Sequence, residues 1–236
     1  MKATVAQLVQ FPGVWRGGEL EHVVHRVVAT GHERLDAELP GGGWPVGTLT
    51  EVLHEGAGIG EVSFLAGALA RAAEGGRLVA WVAPPWLPYA PAIAQAGIPL
   101  ELCMVVRPAT REDALWPAEQ ALKSGACGAV LLWNENQRAE AQEYAWMRRL
   151  QLAAQAGDAM AVIYRSTAAE RQSTPAHLRV VAGREEGALK LRIPKRRGPP
   201  LTRSLTLQAP CSGSHSNSMP SRSSSSNVLA LVPRRS

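Results

Sequence analysis

From residue 48 to residue 166 the chain alternates short apolar runs with longer stretches of helical periodicity. The apolar runs are bounded by Gly, Pro or polar residues, and each predicts a buried strand: GTLTEVLHE, RLVAWVAPP, LCMVVRP, CGAVLLWN and AMAVIYRS. The stretches between them predict helices: EVSFLAGALARAAEGG, LPYAPAIAQAG, TREDALWPAEQALKSG and QRAEAQEYAWMRRLQLAAQAG. Repetition of strand and helix in this way predicts a mostly parallel sheet with helices on both faces.

Two of these helices carry finer predictions. Thr110 stands where it would cap the N-terminus of the third helix. On the fourth and longest helix, the apolar pattern predicts a buried side that includes Ala141, Ala145, Leu150 and Leu152.

After Thr174 the pattern changes to an alternation of polar and apolar residues. The runs AHLRVVAG, GALKLRIPKRRG and RSLTLQ predict strands, and GREEG between the first two predicts a turn. The predicted fold class is therefore α/β, a mostly parallel core with an antiparallel C-terminal extension on one edge of the sheet.

The two ends of the chain differ from its middle. Residues 1–26 hold a short amphipathic pattern and a Pro-Gly break, which predicts an N-terminal arm. Residues 210–236 are rich in Ser and cannot bury enough apolar surface to offset the entropy of ordering, so we expect a disordered tail. The predicted globular domain covers residues 27–209.

The composition suits a globular domain that needs no disulfide bonds. With 46% hydrophobic residues in a chain of 236, the domain can bury a sizeable core. Cys103, Cys127 and Cys211 are odd in number and far apart, so we expect inert thiols. No apolar run reaches the roughly 18 residues of a membrane span, and the N-terminus lacks the features of a secretory signal. We therefore expect a cytoplasmic protein with no membrane partner.

A net charge of +5 and a pI near 9.5 would suit a nucleic-acid partner, although the excess is modest. Strand alternation would place Lys190 and Arg192 on one face, and the loop that follows extends them into a predicted basic patch: Lys190, Arg192, Lys195, Arg196 and Arg197. Such a patch binds phosphate backbones, contacts an acidic protein surface, or is only a solvated sheet edge that resists aggregation. The sequence leaves these three readings open.

The stretch PPWLPYAP places Trp86 and Tyr89 on a loop whose conformation is limited by proline. Rigid aromatic side chains in such a position serve interfaces well, which makes both residues candidates for binding a partner protein. Packing into the core is the alternative for each ring.

A glycine-rich loop lies between a predicted strand and a predicted helix in TEVLHEGAGIGEVSFLAGALA, which is the order of a phosphate-binding loop. Gly56, Gly58 and Gly60 keep the loop flexible, but Glu61 and Val62 stand where such a loop has Lys and then Ser or Thr. A carboxylate there repels a triphosphate, and Val62 offers magnesium no oxygen. We therefore expect no nucleotide or other cofactor, no metal site and no catalytic residue.

Two turns upstream of this loop carry a family resemblance. They are a Thr-Gly-x-x-x-Leu-Asp turn and a Gly-Gly-x-Pro-x-Gly turn, formed by Thr30, Gly31, Leu35, Asp36, Gly42, Gly43, Pro45 and Gly47. Together with the order of strands and helices they resemble the RecA-like ATPase core over most of the domain. The resemblance implies a RecA-like fold for residues 27–209.

The same resemblance shows which catalytic groups this chain lacks. Asn134 stands where the family has the Asp that supports magnesium, and Asn lacks the charge that favours a metal. The family's catalytic Glu is matched only by Ala83, Pro84 or Pro85, none of which can take a proton. With the changes at Glu61 and Val62, the resemblance implies a pseudo-ATPase.

More narrowly, the motifs VWRG, ELPGGGWPVGTLTEVL, GIGE, PPWLPYAPAIAQAGI and KRRGPP resemble the ImuA family of RecA-related proteins. This resemblance implies a non-catalytic adaptor in damage-induced (SOS) translesion DNA synthesis. Its expected partners are an ImuB-like inactive Y-family polymerase homologue and an error-prone DnaE-type polymerase, with RecA and single-stranded DNA as further candidates. Two alternatives remain open, namely a SulA-like inhibitor of the division protein FtsZ and a divergent RecA-like ATPase.

Overall fold

The computed structural model describes residues 26–56, 58, 60–110, 112–134, 139–198, 201 and 203–207. The predicted arm, apart from residue 26, and the predicted tail at 210–236 lie outside these residues, as does Cys211. None of the described helices is both long and apolar enough to cross a membrane.

The described residues form ten strands and five α-helices. The strands are β1 (Val27–Val28), β2 (Trp44–Pro45), β3 (Thr48–His54), β4 (Leu78–Val82), β5 (Cys103–Val106), β6 (Cys127–Trp133), β7 (Met160–Ser166), β8 (Leu178–Glu185), β9 (Ala188–Lys195) and β10 (Leu205–Leu207). The helices are α1 (Glu33–Asp36), α2 (Ala66–Ala72), α3 (Ala90–Gln95), α4 (Leu115–Lys123) and α5 (Glu140–Gly157). All strands and helices predicted between residues 48 and 207 are present in the predicted order.

Eight strands make one sheet in the order β10-β9-β8-β3-β7-β6-β4-β5, while β1 and β2 form a separate antiparallel pair. The six strands from β8 to β5 in this order pair in parallel, and β9 and β10 add antiparallel strands. The predicted α/β class with a mostly parallel sheet is confirmed. The first strand after Thr174 is itself parallel to β3, so the antiparallel extension begins one strand later than the alternation predicted.

Helices cover both faces of the sheet. One core cluster joins α2 and α3 to residues such as Val52, Trp81 and Leu131, and the other joins α4 and α5 to Leu49 and Ile163. The strand residues of the two clusters alternate in sequence, as expected for strands that are buried on both sides.

The turns that carry the RecA-like resemblance are fixed by backbone contacts. The N–H of Thr30 donates to Oδ1 of Asp36 at 2.8 Å, which closes the first turn around α1. At Gly43 a Cβ would lie 2.4 Å from the carbonyl oxygen of Val28, so only glycine fits where β1 meets β2. Both turns therefore have a local steric or hydrogen-bonding reason for their residues.

Thr110 caps a different element from the one predicted. Its Oγ1 accepts the N–H of Asp113 at 3.3 Å, and Asp113 belongs to a 3₁₀ turn (Glu112–Ala114) that precedes α4. The prediction located the start of the helical segment, and the extra 3₁₀ turn separates Thr110 from α4 itself.

The predicted buried side of α5 is wrong in three of its four members. Leu150 is buried, but Ala141, Ala145 and Leu152 are exposed. The buried side instead contains polar residues together with small and apolar ones: Glu143, Met147, Leu150, Gln151, Ala153, Ala154 and Gly157. A pattern of apolar residues alone could not reveal this side, because part of it faces charged and polar groups of the sheet.

A buried ion-pair network joins α5 to the centre of the sheet. The Glu51 carboxylate is fully buried, and it accepts bonds from Nη1 of Arg165 and Nε of Arg179, each at 2.6 Å. Nη2 of Arg165 lies 3.5 Å from Oε2 of Glu143 and donates to Oε1 of Gln172 at 2.6 Å. Each of these charges has an opposite partner, as burial in a low-dielectric interior requires.

We expect Glu51→Ala to lower the free energy of unfolding by about 3–5 kcal/mol, because it leaves two buried guanidinium groups without their shared carboxylate. Urea denaturation monitored by circular dichroism measures this change. The control is Glu74→Ala, which removes an exposed acid and should stay within about 0.5 kcal/mol of the parent protein. A loss below about 1 kcal/mol for Glu51→Ala would contradict the central role of the network.

Candidate functional site

The glycine-rich loop begins at the carboxyl end of β3, which lies between β7 and β8 near the middle of the sheet. This is the edge at which open α/β sheets bind ligands. Gly58 and Gly60 have φ values of 92° and 90°, so the loop uses a backbone conformation that favours glycine. A 3₁₀ turn (Ser63–Leu65) and then α2 follow the loop.

Glu61 turns into the loop and not toward solvent. Its side chain is buried, and its carboxylate oxygens Oε2 and Oε1 lie 3.0 and 3.3 Å from the backbone nitrogen of Gly58. In a phosphate-binding loop such backbone N–H groups face the anion. A protein carboxylate therefore accepts the amide that a phosphate would use, while Val62 packs against the apolar core.

Tyr164 of β7 forms a hydrogen bond with the backbone of the loop. Its hydroxyl donates to the carbonyl oxygen of Glu61 at 3.2 Å. Burial, and secondarily the negative charge of Glu61, raise the pKa of Tyr164 well above its usual value. The phenol therefore keeps its proton and remains a hydrogen-bond donor.

Aromatic rings fill the face of the sheet beneath the loop. Trp133 stacks on Tyr164 with ring centroids 4.5 Å apart, and Trp81 stacks on Trp133 at 6.0 Å. The His54 ring meets Tyr164 edge-on at 6.0 Å. Offset and edge-to-face contacts of this kind add to the energy of burial. This region is consequently packed by the protein's own side chains.

Asn134 turns away from these rings to the side of the sheet covered by α5. It is buried, and its Nδ2 donates to the Glu143 carboxylate at 3.0 and 3.2 Å. Ala83, Pro84 and Pro85, which follow β4, offer no proton-accepting side chain. The positions at which the RecA-like resemblance would place a magnesium-binding Asp and a catalytic Glu therefore present no carboxylate.

Four of the five residues of the predicted basic patch have identified partners on different segments. Lys190 forms an ion pair with Glu185, and Arg192 forms one with Glu170 at 2.9 Å. The hydrogen bond from Arg192 lowers the pKa of Glu170 below its usual value. Lys190 and Arg192 line an open cleft of about 390 Å³ beside the loop, and that cleft also contains acidic residues.

The other members of the basic patch are Lys195, the last residue of β9, and the two arginines that follow it. Lys195 donates to the carbonyl oxygen of Thr174 at 2.7 Å, and Nη1 of Arg196 lies 3.3 Å from Oε2 of Glu38, just after α1. Arg197 is exposed. The structure thus brings Lys190, Arg192 and Lys195 together on β9 but directs Arg196 to Glu38, so the predicted compact patch is divided.

Trp86 and Tyr89 lie on the surface, as the interface interpretation requires. Their exposed fractions are 73% and 72%, and Leu87 between them is 70% exposed. We name these three residues the aromatic loop; it connects β4 to α3. The sequence reasoning missed Leu87, although its place between two exposed rings on a proline-limited loop was the available signal.

Comparison with known proteins does not assign this chain to a family. A scan against protein-family models gives no match, and a search of curated proteins finds no related sequence. Within the described part of the chain, no three His, Cys, Asp or Glu side chains are grouped so that they could hold a metal ion.

We expect ATP with magnesium to bind no more tightly than about millimolar, because Glu61 and Val62 stand where a phosphate-binding loop has Lys and then Ser or Thr. Isothermal titration calorimetry tests this directly. Glu61→Lys combined with Val62→Thr should improve the affinity yet give no ATP turnover, since Asn134 and Ala83 supply no catalytic carboxylate. A micromolar dissociation constant for the parent protein would contradict the prediction.

Proposed function

We propose that this protein is a cytoplasmic, non-catalytic adaptor of damage-induced translesion DNA synthesis, built on a RecA-like core. Its partners are an ImuB-like inactive polymerase homologue and an error-prone DnaE-type polymerase. The motifs shared with the ImuA family motivate the choice of process and partners. The observation that carries the adaptor role is the aromatic loop at residues 86, 87 and 89, where large apolar side chains are held in solvent.

Exposure of this kind is costly for a protein that acts alone. Aromatic side chains bury large areas when they bind a partner, and Trp and Tyr are enriched among the residues that dominate interface energies. Pro84, Pro85 and Pro88 surround the rings and restrict the backbone, so little entropy is lost when a partner orders the loop. The aromatic loop therefore has the composition and the rigidity of a protein-binding element.

The glycine-rich loop is a second observation that supports a non-catalytic role. Glu61 accepts the Gly58 amide, and aromatic rings occupy the sheet face below. A protein with these features has no evident means to position a triphosphate or to activate water. An adaptor needs neither function.

We expect Trp86→Ala combined with Tyr89→Ala to weaken capture of the ImuB-like partner by at least about 30-fold, which corresponds to about 2 kcal/mol for a hot-spot residue. The measurement is affinity purification from DNA-damaged cells at moderate salt, followed by titration with the purified partner. Both residues are surface-exposed, so the melting temperature should stay unchanged.

Leu152→Ala serves as the matched control, because Leu152 is 50% exposed on α5 and lies outside the aromatic loop. Equal capture by the parent and the double variant would contradict the assignment of the loop. Recovery of FtsZ in place of polymerase partners would favour the division-inhibitor alternative, and release of partners by ATP would favour the divergent ATPase.

We expect Arg196→Ala combined with Arg197→Ala to slow association with the polymerase-like partner while any binding of single-stranded DNA persists. A patch whose members contact separate acidic and carbonyl groups is poorly suited to track a continuous phosphate backbone. Affinities for both ligands across a salt series measure the effect. If the residues contact DNA, the slope of log affinity against log salt should flatten by roughly 0.7 per lost phosphate contact, which would contradict the protein-partner interpretation.

The control for this experiment is Arg203→Ala. Arg203 also forms an ion pair with Glu38, but it does not belong to the basic patch. It therefore reports the consequence of disturbing Glu38 alone. If the double variant behaves like this control in both assays, the patch is a solvated sheet edge.

A further inference from the structure

The Glu61 carboxylate accepts a hydrogen bond from the Gly58 amide. Replacement of Lys at this position does not by itself require such a bond. A carboxylate at this position could have extended into solvent, yet its side chain is buried and both oxygens lie within 3.3 Å of the Gly58 nitrogen. A hydrogen bond from an amide to a carboxylate is roughly twice as strong as one between neutral groups. Gly58 itself is exposed, so the burial of Glu61 reflects a side chain directed back at the loop.

Further contacts fix the described residues at the end of the same loop. The backbone N–H and the hydroxyl of Ser63 both donate to the carbonyl oxygen of Gly60, at 2.9 and 2.7 Å. Tyr164 fixes the carbonyl of Glu61, as described above. A Cβ on Gly60 would lie 3.8 Å from Nη2 of Arg184, which places a guanidinium charge beside the loop. The loop is thus closed on itself next to a cationic group.

We propose that Glu61 is a built-in anionic ligand of the glycine-rich loop, which its carboxylate holds closed in the manner of a bound phosphate. The contact is autoinhibitory, because an external anion can reach the Gly58 amide only after the carboxylate leaves. The contacts of Gly58, Gly60 and Glu61 are then made within the protein and do not depend on nucleotide concentration. A partner protein that binds this edge of the sheet therefore contacts a loop whose Gly58 amide is already bonded to the Glu61 carboxylate.

Hydrogen exchange of the Gly58 amide, measured by NMR on the full chain, tests the proposal. In Glu61→Ala the exchange rate should rise about 10-fold or more, because the amide loses its charged acceptor. Millimolar inorganic phosphate should then slow this exchange in the variant and leave the parent protein unchanged. Glu55→Gln is the matched control, since it removes an exposed carboxylate from the start of the same loop and should have no effect.

Unchanged exchange in Glu61→Ala, or an equal increase in the Glu55→Gln control, would overturn the contact. Failure of phosphate to slow exchange in Glu61→Ala would overturn the comparison with a bound anion. If Glu61→Ala does not fold, Glu61→Gln keeps the size of the side chain and removes its charge. The Gly58 amide proton should then shift upfield, and an unchanged shift would refute the proposal. These measurements involve no partner protein, so their failure is separate from failure of the adaptor role.

Discussion

Glu51 lies in the central strand of the sheet with its carboxylate held between the guanidinium groups of Arg165 and Arg179. Taking such charges out of water costs several kcal/mol for each ion, and only a complete set of partners offsets this cost. Because the three residues come from β3, β7 and β8, the network is satisfied only when these strands lie side by side in one register. The glycine-rich loop extends from the end of β3 and inherits its position from this constraint.

The same network explains why two neighbouring residues at the end of β6 have different roles. Asn134 donates to Glu143, which belongs to the ion-pair network on the α5 side. Trp133 points to the other side and stacks on Tyr164, whose hydroxyl supports Glu61. The polar network and the aromatic stack therefore lie on opposite sides of the sheet. Neither Trp133 nor Asn134 presents a carboxylate at the end of β6.

Closure of the loop and exposure of the aromatic side chains are complementary features. At the loop, Glu61 satisfies the Gly58 amide within the protein. At the aromatic loop, Trp86, Leu87 and Tyr89 are left without internal partners for most of their surface. The backbone amide that would face a small anion is thus engaged internally, whereas apolar side chains that would contact a protein are exposed. The exposed apolar side chains are the feature on which the proposed adaptor role rests.

The order and type of the elements could be predicted from the amino-acid sequence, because strand and helix periodicities and Gly or Pro boundaries act over a few residues. The sequence also showed that Glu61 and Val62 replace the Lys and the Ser or Thr of a phosphate-binding loop, and that Trp86 and Tyr89 lie on a proline-limited segment. It left open whether either ring packs into the core. Three contacts became visible only in the folded chain: Glu61 accepts the Gly58 amide, Glu51 pairs with Arg165 and Arg179 more than 110 residues away, and Arg196 reaches Glu38. The tertiary structure also reversed the predicted orientation of Ala141, Ala145 and Leu152, since polar residues of α5 are buried where they find charged partners. The physical reason is that a charged side chain is placed by whichever partner the fold brings within reach, and local sequence does not record that partner.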